Sequence, residues 1–289
     1  GTGNLVSHLG GLLKDNTGYA LPALLCGSEG TLGIVTAVRL RLVPPAAGRV
    51  VAVLGFGTVA AAVDAAAALR RTLAEVSALE LMTGPGVGLV CEVTGAPLPL
   101  PSAHDAYLLV EAIAASDPTP ALSEAVASLS GVEDAAVAVE PARQAALWRY
   151  REGHTEAINS LGAPHKLDVT LPHAALADAV AAFPKVLESV APEAAVWLFG
   201  HVGDGNLHVN VTGLAPDDER ADDAVYREVG ARGGSISAEH GIGTAKRRWL
   251  HLNRSQAEID AFRSIKSALD PDSIMNPHVL LPEEADLSR

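Results

Sequence analysis

An α+β fold, with helices laid against an antiparallel sheet, is predicted by three features of the sequence. Apolar runs of strand length alternate with helix-length segments, and the order strand, helix, strand occurs twice between residues 50 and 139. Of the 289 residues, 48% are hydrophobic and 19% charged, enough to bury one large core or two modest ones. Gly-rich and Pro-rich punctuation separates the segments, as expected of a chain with two folded lobes.

The opening segment, 1–45, is rich in Gly, Asn and Thr. It ends in the alternating run Ile34 to Val43, which predicts a strand closed by Pro44-Pro45. A boundary follows near residue 46, and the main α+β lobe is expected over 46–245. Val50 to Phe56 predicts a strand, Thr58 to Leu73 an Ala-rich helix and Val76 to Met82 a strand. Ala106 to Ile113, Pro120 to Leu129 and Val132 to Val139 repeat that order. Pro141 suits the first position of a helix reaching Ser160. A strand from His165 to Leu171, a helix from His173 to Val190 and a strand from Ala195 to Phe199 come next. The tail, 246–289, predicts two polar helices split near Asn253-Arg254-Ser255, then a stretch punctuated by Asp-Pro and Asn-Pro.

Charge and composition exclude several classes of partner. With 34 acidic residues against 21 Lys and Arg, the net charge of −13 disfavours nucleic acid and anionic membrane surfaces. The longest apolar run, Val50 to Val63, is broken by Gly55 and Gly57 and falls short of the roughly 18–20 residues that span a bilayer. A soluble protein is therefore expected. Cys26 and Cys91, the two cysteines, cannot form a disulfide framework and suit a reducing cytoplasm. Redox chemistry would need a borrowed cofactor.

The densest chemistry lies in Gly200-His201-Val202-Gly203-Asp204-Gly205-Asn206-Leu207-His208-Val209-Asn210. Two histidines seven apart would face opposite sides of an unbroken strand. The turn at Gly203 to Asn206 must therefore reverse or bulge the chain if they are to converge. Beyond it, His208, Asn210 and Thr212 share one face and Leu207, Val209 and Val211 the other. A second polar cluster, Ser237 to Gly243, contains Glu239 and His240. His201, His208 and Glu239 would make a three-ligand open site for a catalytic divalent metal, zinc by ligand type. Ordinary hydrogen-bonded histidines are the alternative. Arg151 and Thr155 share a helix face, and Lys166 starts the next strand, alternating with Asp168 and Thr170. An Arg fork, a hydroxyl and an ammonium could converge on a carboxylate; a solvated helix face with an edge-strand Lys is the bland alternative. Gly27 to Ile34 has the composition of a loop whose backbone approaches a ligand, although it matches neither the dinucleotide nor the P-loop pattern.

Taken together, Lys14-Asp15-Asn16-Thr17-Gly18-Tyr19, Gly27 to Thr36, His201 to Asn210, Ser237 to Gly243 and Asn276-Pro277 resemble the FAD-linked oxidases of the vanillyl-alcohol oxidase superfamily. The resemblance is to their 2-hydroxyacid dehydrogenase branch: the flavin subunit of glycolate oxidase, D-lactate dehydrogenase and D-2-hydroxyglutarate dehydrogenase. It implies that 1–45 is the tail of an FAD-binding domain, 46–245 the substrate lobe and 246–289 a helical tail returning to the flavin side. It also implies that most of the FAD-binding region, including its pyrophosphate loop, is missing from this chain. Gly27, Ser28, Glu29, Gly30, Thr31 and Ile34 would line FAD, with Asn276 approaching the flavin. His201, His208 and Glu239 match the family's metal ligands, Arg151, Thr155, Lys166 and Asn210 its substrate contacts, and His240 its base. Pro277-His278-Val279 departs from the family's usual Pro-Gly-Lys, which puts the Asn276 contact in question.

The activity so implied is oxidation of a D-2-hydroxy acid of the glycolate, D-lactate or D-2-hydroxyglutarate class to its 2-oxo acid, with hydride passing to FAD. The implied partners are the small hydroxy acid and an electron acceptor, a quinone or an electron-transfer protein, which could bring a cytoplasmic protein to the membrane periphery. A homodimer is compatible with this. Two other classes stay open: a zinc hydrolase using His201, His208 and Glu239 with a bound water, and a non-catalytic lobe that binds a partner.

Overall fold

The structure, a computed structural model, describes residues 1–283 and Asp286; the end of the expected 246–289 tail lies outside the described residues. Two compact units form. One joins Gly1–Pro44 to Glu239–Arg289, and the other is Pro45–Ala238. In chain order the first unit contributes helix α1 (Leu21–Leu25). The second comprises β1 (Gly48–Phe56), α2 (Val59–Thr72), β2 (Val76–Thr83), α3 (Gly84–Thr94), β3 (Ala106–Ala114), α4 (Thr119–Ala127), β4 (Val132–Ala138), α5 (Pro141–Asn159), β5 (His165–Thr170), α6 (His173–Val190), β6 (Ala195–His201), β7 (Asn206–Thr212) and α7 (Arg220–Ala231). Helix α8 (Gln256–Leu269) returns to the first unit.

In the Pro45–Ala238 unit the seven strands form one sheet, ordered β4-β1-β3-β2-β6-β7-β5 and antiparallel at every pairing. Helices α2, α4, α6 and α7 pack in one layer, and α3 and α5 lie on the opposite face. A sheet covered on both faces explains why β1 reads as a nearly unbroken apolar run: Val50 to Leu54 are all fully buried. Helix α2 starts where expected because the Thr58 hydroxyl accepts from the Ala61 N–H.

Helix α3 is not legible as a helix in the sequence, since Gly84, Gly86 and Gly88 weigh against one. Packing supplies the reason for it. A Cβ at Gly86 would lie 2.7 Å from His154 Nε2, and one at Gly153 would lie 3.1 Å from Val90, so these glycines let α3 and α5 approach closely. Pro85 in the first turn and a left-handed Gly95 at the end were the local signals. Helix α7 was likewise unforeseen, although Ala221, Val225, Tyr226 and Val229 give it a buried stripe at helical spacing.

The Gly1–Pro44 and Glu239–Arg289 unit corrects one expectation. No strand forms over 34–43 among the described residues. Ile34, Val38, Leu40 and Leu42 on one parity are exposed, and so are Val35 and Val43 on the other. Alternation alone makes no strand, because the backbone N–H and C=O groups need a paired neighbour. The two polar helices expected in the tail form as a 3₁₀ turn at Arg247–Leu252 and as α8, which opens on a capping box between Ser255 and Glu258. The crossing between units falls after Ala238, ahead of the expected boundary at 245. The reason is that the Glu29 carboxylate accepts from the Ile242 N–H (2.8 Å) and Gly243 N–H (2.6 Å), tying that segment to the opening one.

Candidate functional site

The turn between β6 and β7 reverses the chain, which settles the parity of the two histidines. Phe199 pairs with His208 across the hairpin, and His201, two residues beyond Phe199, lies on the same sheet face. The imidazole centroids are 5.2 Å apart in an edge-on arrangement. Glycine is required here: a Cβ at Gly200 would meet the Asn206 carbonyl oxygen at 2.4 Å, and Gly205, at φ 88°, would meet that of Leu171 at 2.3 Å. Arg70 braces the turn from α2 by donating to the Gly203 carbonyl (2.6 Å).

Each histidine has a carboxylate at Nδ1. Glu80, on β2 opposite His201, approaches it with Oε1 at 2.7 Å. Asp168, on β5 opposite His208, lies with Oδ1 at 3.5 Å from its Nδ1. Both carboxylates are buried. A carboxylate hydrogen-bonded at Nδ1, as Glu80 is at His201, selects the tautomer that presents Nε2 as a ligand atom, and with the His208 imidazole beside it the donor chemistry fits a divalent metal of the zinc class. Among the described residues no group of three or more His, Cys, Asp or Glu is arranged to hold a metal.

Arg151 reaches this face from α5. Its Nε donates to Glu80 Oε2 (2.6 Å), one Nη lies 3.5 Å from His201 Nε2, and its guanidinium sits 4.6 Å from the Phe199 ring centroid. The terminal edge of the fork is what remains to face a ligand. Lys166 pairs with Asn210 across β5 and β7. The Lys166 side chain is exposed; Asn210 is buried, and its Nδ2 has no hydrogen-bond partner. Asn206 is also buried, with neither amide atom bonded. Thr155 is exposed on α5.

Sequence reasoning missed Glu80 and the position of His154. Glu80 was visible only as a lone charge within the apolar strand Ala78 to Met82. His154 is fully enclosed, its Nδ1 on the Tyr150 carbonyl (2.7 Å) and its ring against Phe199, and burial pushes its pKa down to about 4.

The Gly1–Pro44 and Glu239–Arg289 unit brings Gly27 to Thr31 together with 241–243 and Asn276. Glu29 takes a left-handed conformation between Gly27 and Gly30, which do the same. Its carbonyl accepts from Asn276 Nδ2 (2.7 Å), and a Cβ at Gly30 would collide with that amide. The departure at His278 therefore leaves Asn276 attached to the loop. Ser28 and Thr31 turn inward, Thr31 Oγ1 donating to the Ser28 carbonyl (2.7 Å), while Ile34 is exposed. Lys266 Nζ donates to the Thr31 and Met275 carbonyls and to Asp270, whose carboxyl this ammonium and the Met275 and Ile274 N–H groups hold below its ordinary pKa. A Cβ at Gly27, whose φ is 80°, would meet nothing within 4 Å, so this backbone position faces open space. Glu239 and His240 are exposed residues of this unit, directly after Ala238, whose N–H donates to the Asp168 carbonyl (3.2 Å).

A seven-stranded antiparallel sheet between helical layers, with an imidazole pair and an arginine on one face, makes a lobe of mixed α and β structure. The chain belongs to the family of FAD linked oxidases, C-terminal domain, which residues 46–280 match. It is 35% identical over 292 residues to a probable mitochondrial D-2-hydroxyglutarate dehydrogenase of Oryza sativa subsp. indica, covering 97% of this chain and 52% of the relative. To the D-2-hydroxyglutarate dehydrogenase of Xanthomonas citri pv. viticola it is 35% identical, covering 96% and 61%. The chain thus spans about half the length of the first of these relatives. Among solved structures, p-cresol methylhydroxylase with substrate bound shares the fold, with a TM-score of 0.59 and 12% identity over 82% of this chain and 54% of the other. Among the described residues, no helix is long and apolar enough to cross a membrane.

Proposed function

We propose that the protein takes part in the FAD-dependent oxidation of a D-2-hydroxy acid to its 2-oxo acid, with D-2-hydroxyglutarate the substrate its relatives' names favour. The observation that carries this is the shared sheet face on which His201 and His208, each backed by a carboxylate, lie beside Arg151. Arg151, Thr155 and Lys166 hold the substrate carboxylates, with the arginine fork supplying paired hydrogen bonds. Asn210 offers its unbonded amide to the hydroxy acid. FAD, when bound, takes the hydride lost from Cα, and a divalent metal, when bound, acidifies the substrate hydroxyl. His201, His208 and Glu239 are the residues that would hold the metal. Gly27, Ser28, Glu29, Gly30, Thr31, Ile34 and Asn276 belong to the flavin side, where Gly27 gives the open backbone. His240 accepts the hydroxyl proton on an imidazole nitrogen. Bound there, FAD would also supply the route by which electrons leave for an acceptor, a quinone or an electron-transfer protein.

A panel of 2-hydroxy acids assayed on the full-length protein with FAD and an artificial electron acceptor tests this. Turnover of D-2-hydroxyglutarate or a related D-acid is expected; no flavin reduction by any of them would refute it.

A further inference from the structure

We propose that Glu80 is a positioning residue whose single carboxylate sets both the tautomer of His201 and the orientation of Arg151. The inference rests on the reading of His201 as a metal ligand for its consequence, but its geometry stands apart from that reading. Strand register puts Glu80 directly opposite His201, and the side chain is buried. Oε1 meets His201 Nδ1 at 2.7 Å, while Oε2 meets Arg151 Nε at 2.6 Å. An ionised carboxylate only accepts, so Nδ1 carries the imidazole proton and Nε2 keeps its lone pair. The Arg151 Nη, 3.5 Å from Nε2, agrees with that assignment, because a guanidinium N–H can sit beside a lone pair but not beside another N–H. On the arginine, Glu80 takes the Nε edge and Phe199 lies under the plane, which together aim the terminal edge of the fork.

The design needs one group that accepts from two donors at once. Glutamine cannot supply it here, since the two partners meet different carboxylate oxygens, and the amide puts its oxygen at one and its donating NH₂ at the other. Facing Arg151, which is always protonated, the amide oxygen stays there, and the NH₂ donates to His201 Nδ1. The imidazole proton then moves to Nε2, where it pushes the Arg151 Nη aside and blocks coordination. Glu111 is the natural control. It is a buried carboxylate on the adjacent strand β3, bound by Arg49, Ser77 and Trp148, none of which belongs to the candidate site.

The test combines ¹⁵N-histidine NMR and zinc titration against a competing chelator on the full-length protein, as wild type, Glu80→Gln and Glu111→Gln. Resonances of His201 are assigned by their loss in His201→Gln. In wild type without metal, His201 should be protonated on Nδ1. Glu80→Gln should shift the proton to Nε2 and weaken zinc binding roughly 10- to 100-fold, whereas Glu111→Gln should change neither, even where it lowers stability. A His201 tautomer and zinc affinity unchanged in Glu80→Gln, or changed equally in Glu111→Gln, would overturn the assignment. If wild type takes up no zinc, the metal reading fails by itself, and the tautomer of His201 in Glu80→Gln still decides the role of Glu80: a shift to Nε2 supports it, no shift refutes it.

Discussion

His154 makes the protein's stability depend on mild acid, and the size of the effect follows from its surroundings. The ring is fully buried between α5, Gly86 of α3 and Phe199; its Nδ1 donates to the Tyr150 carbonyl, and Nε2 has no partner. Burial, joined by the Arg151 charge, lowers its pKa from 6.5 to about 4, although the Tyr150 hydrogen bond works the other way. The unfolded chain therefore binds a proton that the fold refuses. Stability is full above 6.5 and falls with pH until the folded group titrates near 4. At about 1.4 kcal/mol per pH unit, the loss comes to about 2 kcal/mol between pH 7 and pH 5, and about 3 kcal/mol by pH 4. His154→Gln removes the titrating group. Urea unfolding of wild type and variant at pH 7, 6 and 5 should show the variant less stable at pH 7, with the gap narrowing by about 2 kcal/mol at pH 5. Stability curves that run parallel across this range would refute the argument.

Replacing Arg151 by Met should lower kcat/KM for the hydroxy acid by about 2–4 kcal/mol in transition-state terms. It should also cost about 3 kcal/mol in urea unfolding, because Glu80 is left buried without its cation. Lys166→Met, at an exposed side chain, should raise KM and leave the urea midpoint within error; a large stability loss would make Lys166 structural. His208→Ala and Glu239→Gln should lose bound metal and activity together, whereas Asn210→Ala and His240→Ala should keep the metal and lose turnover. Elemental analysis of the four variants decides it, and metal retained in His208→Ala would return that histidine to a structural role.

The amino-acid order alone determined what is local. Apart from α3, the strand and helix segments from Val50 to Phe199 lie where period-2 and period-3.6 patterning put them, and His173–Val190 matches its expected bounds at both ends. The shared face of His208 and Asn210 was likewise fixed by alternation, once the Gly-rich turn was recognised. Tertiary structure alone decided matters that depend on distant segments. Glu80 lies 71 residues from Arg151 and 121 from His201, and no periodicity links them; they meet because β2 pairs with β6 and α5 covers that junction. Gly86 and Gly153, poor helix formers in isolation, belong in helices because a side chain there would keep α3 and α5 apart. The run Ile34 to Val43 shows the converse: its alternation is a local property, whereas a strand exists only when another backbone completes its hydrogen bonds.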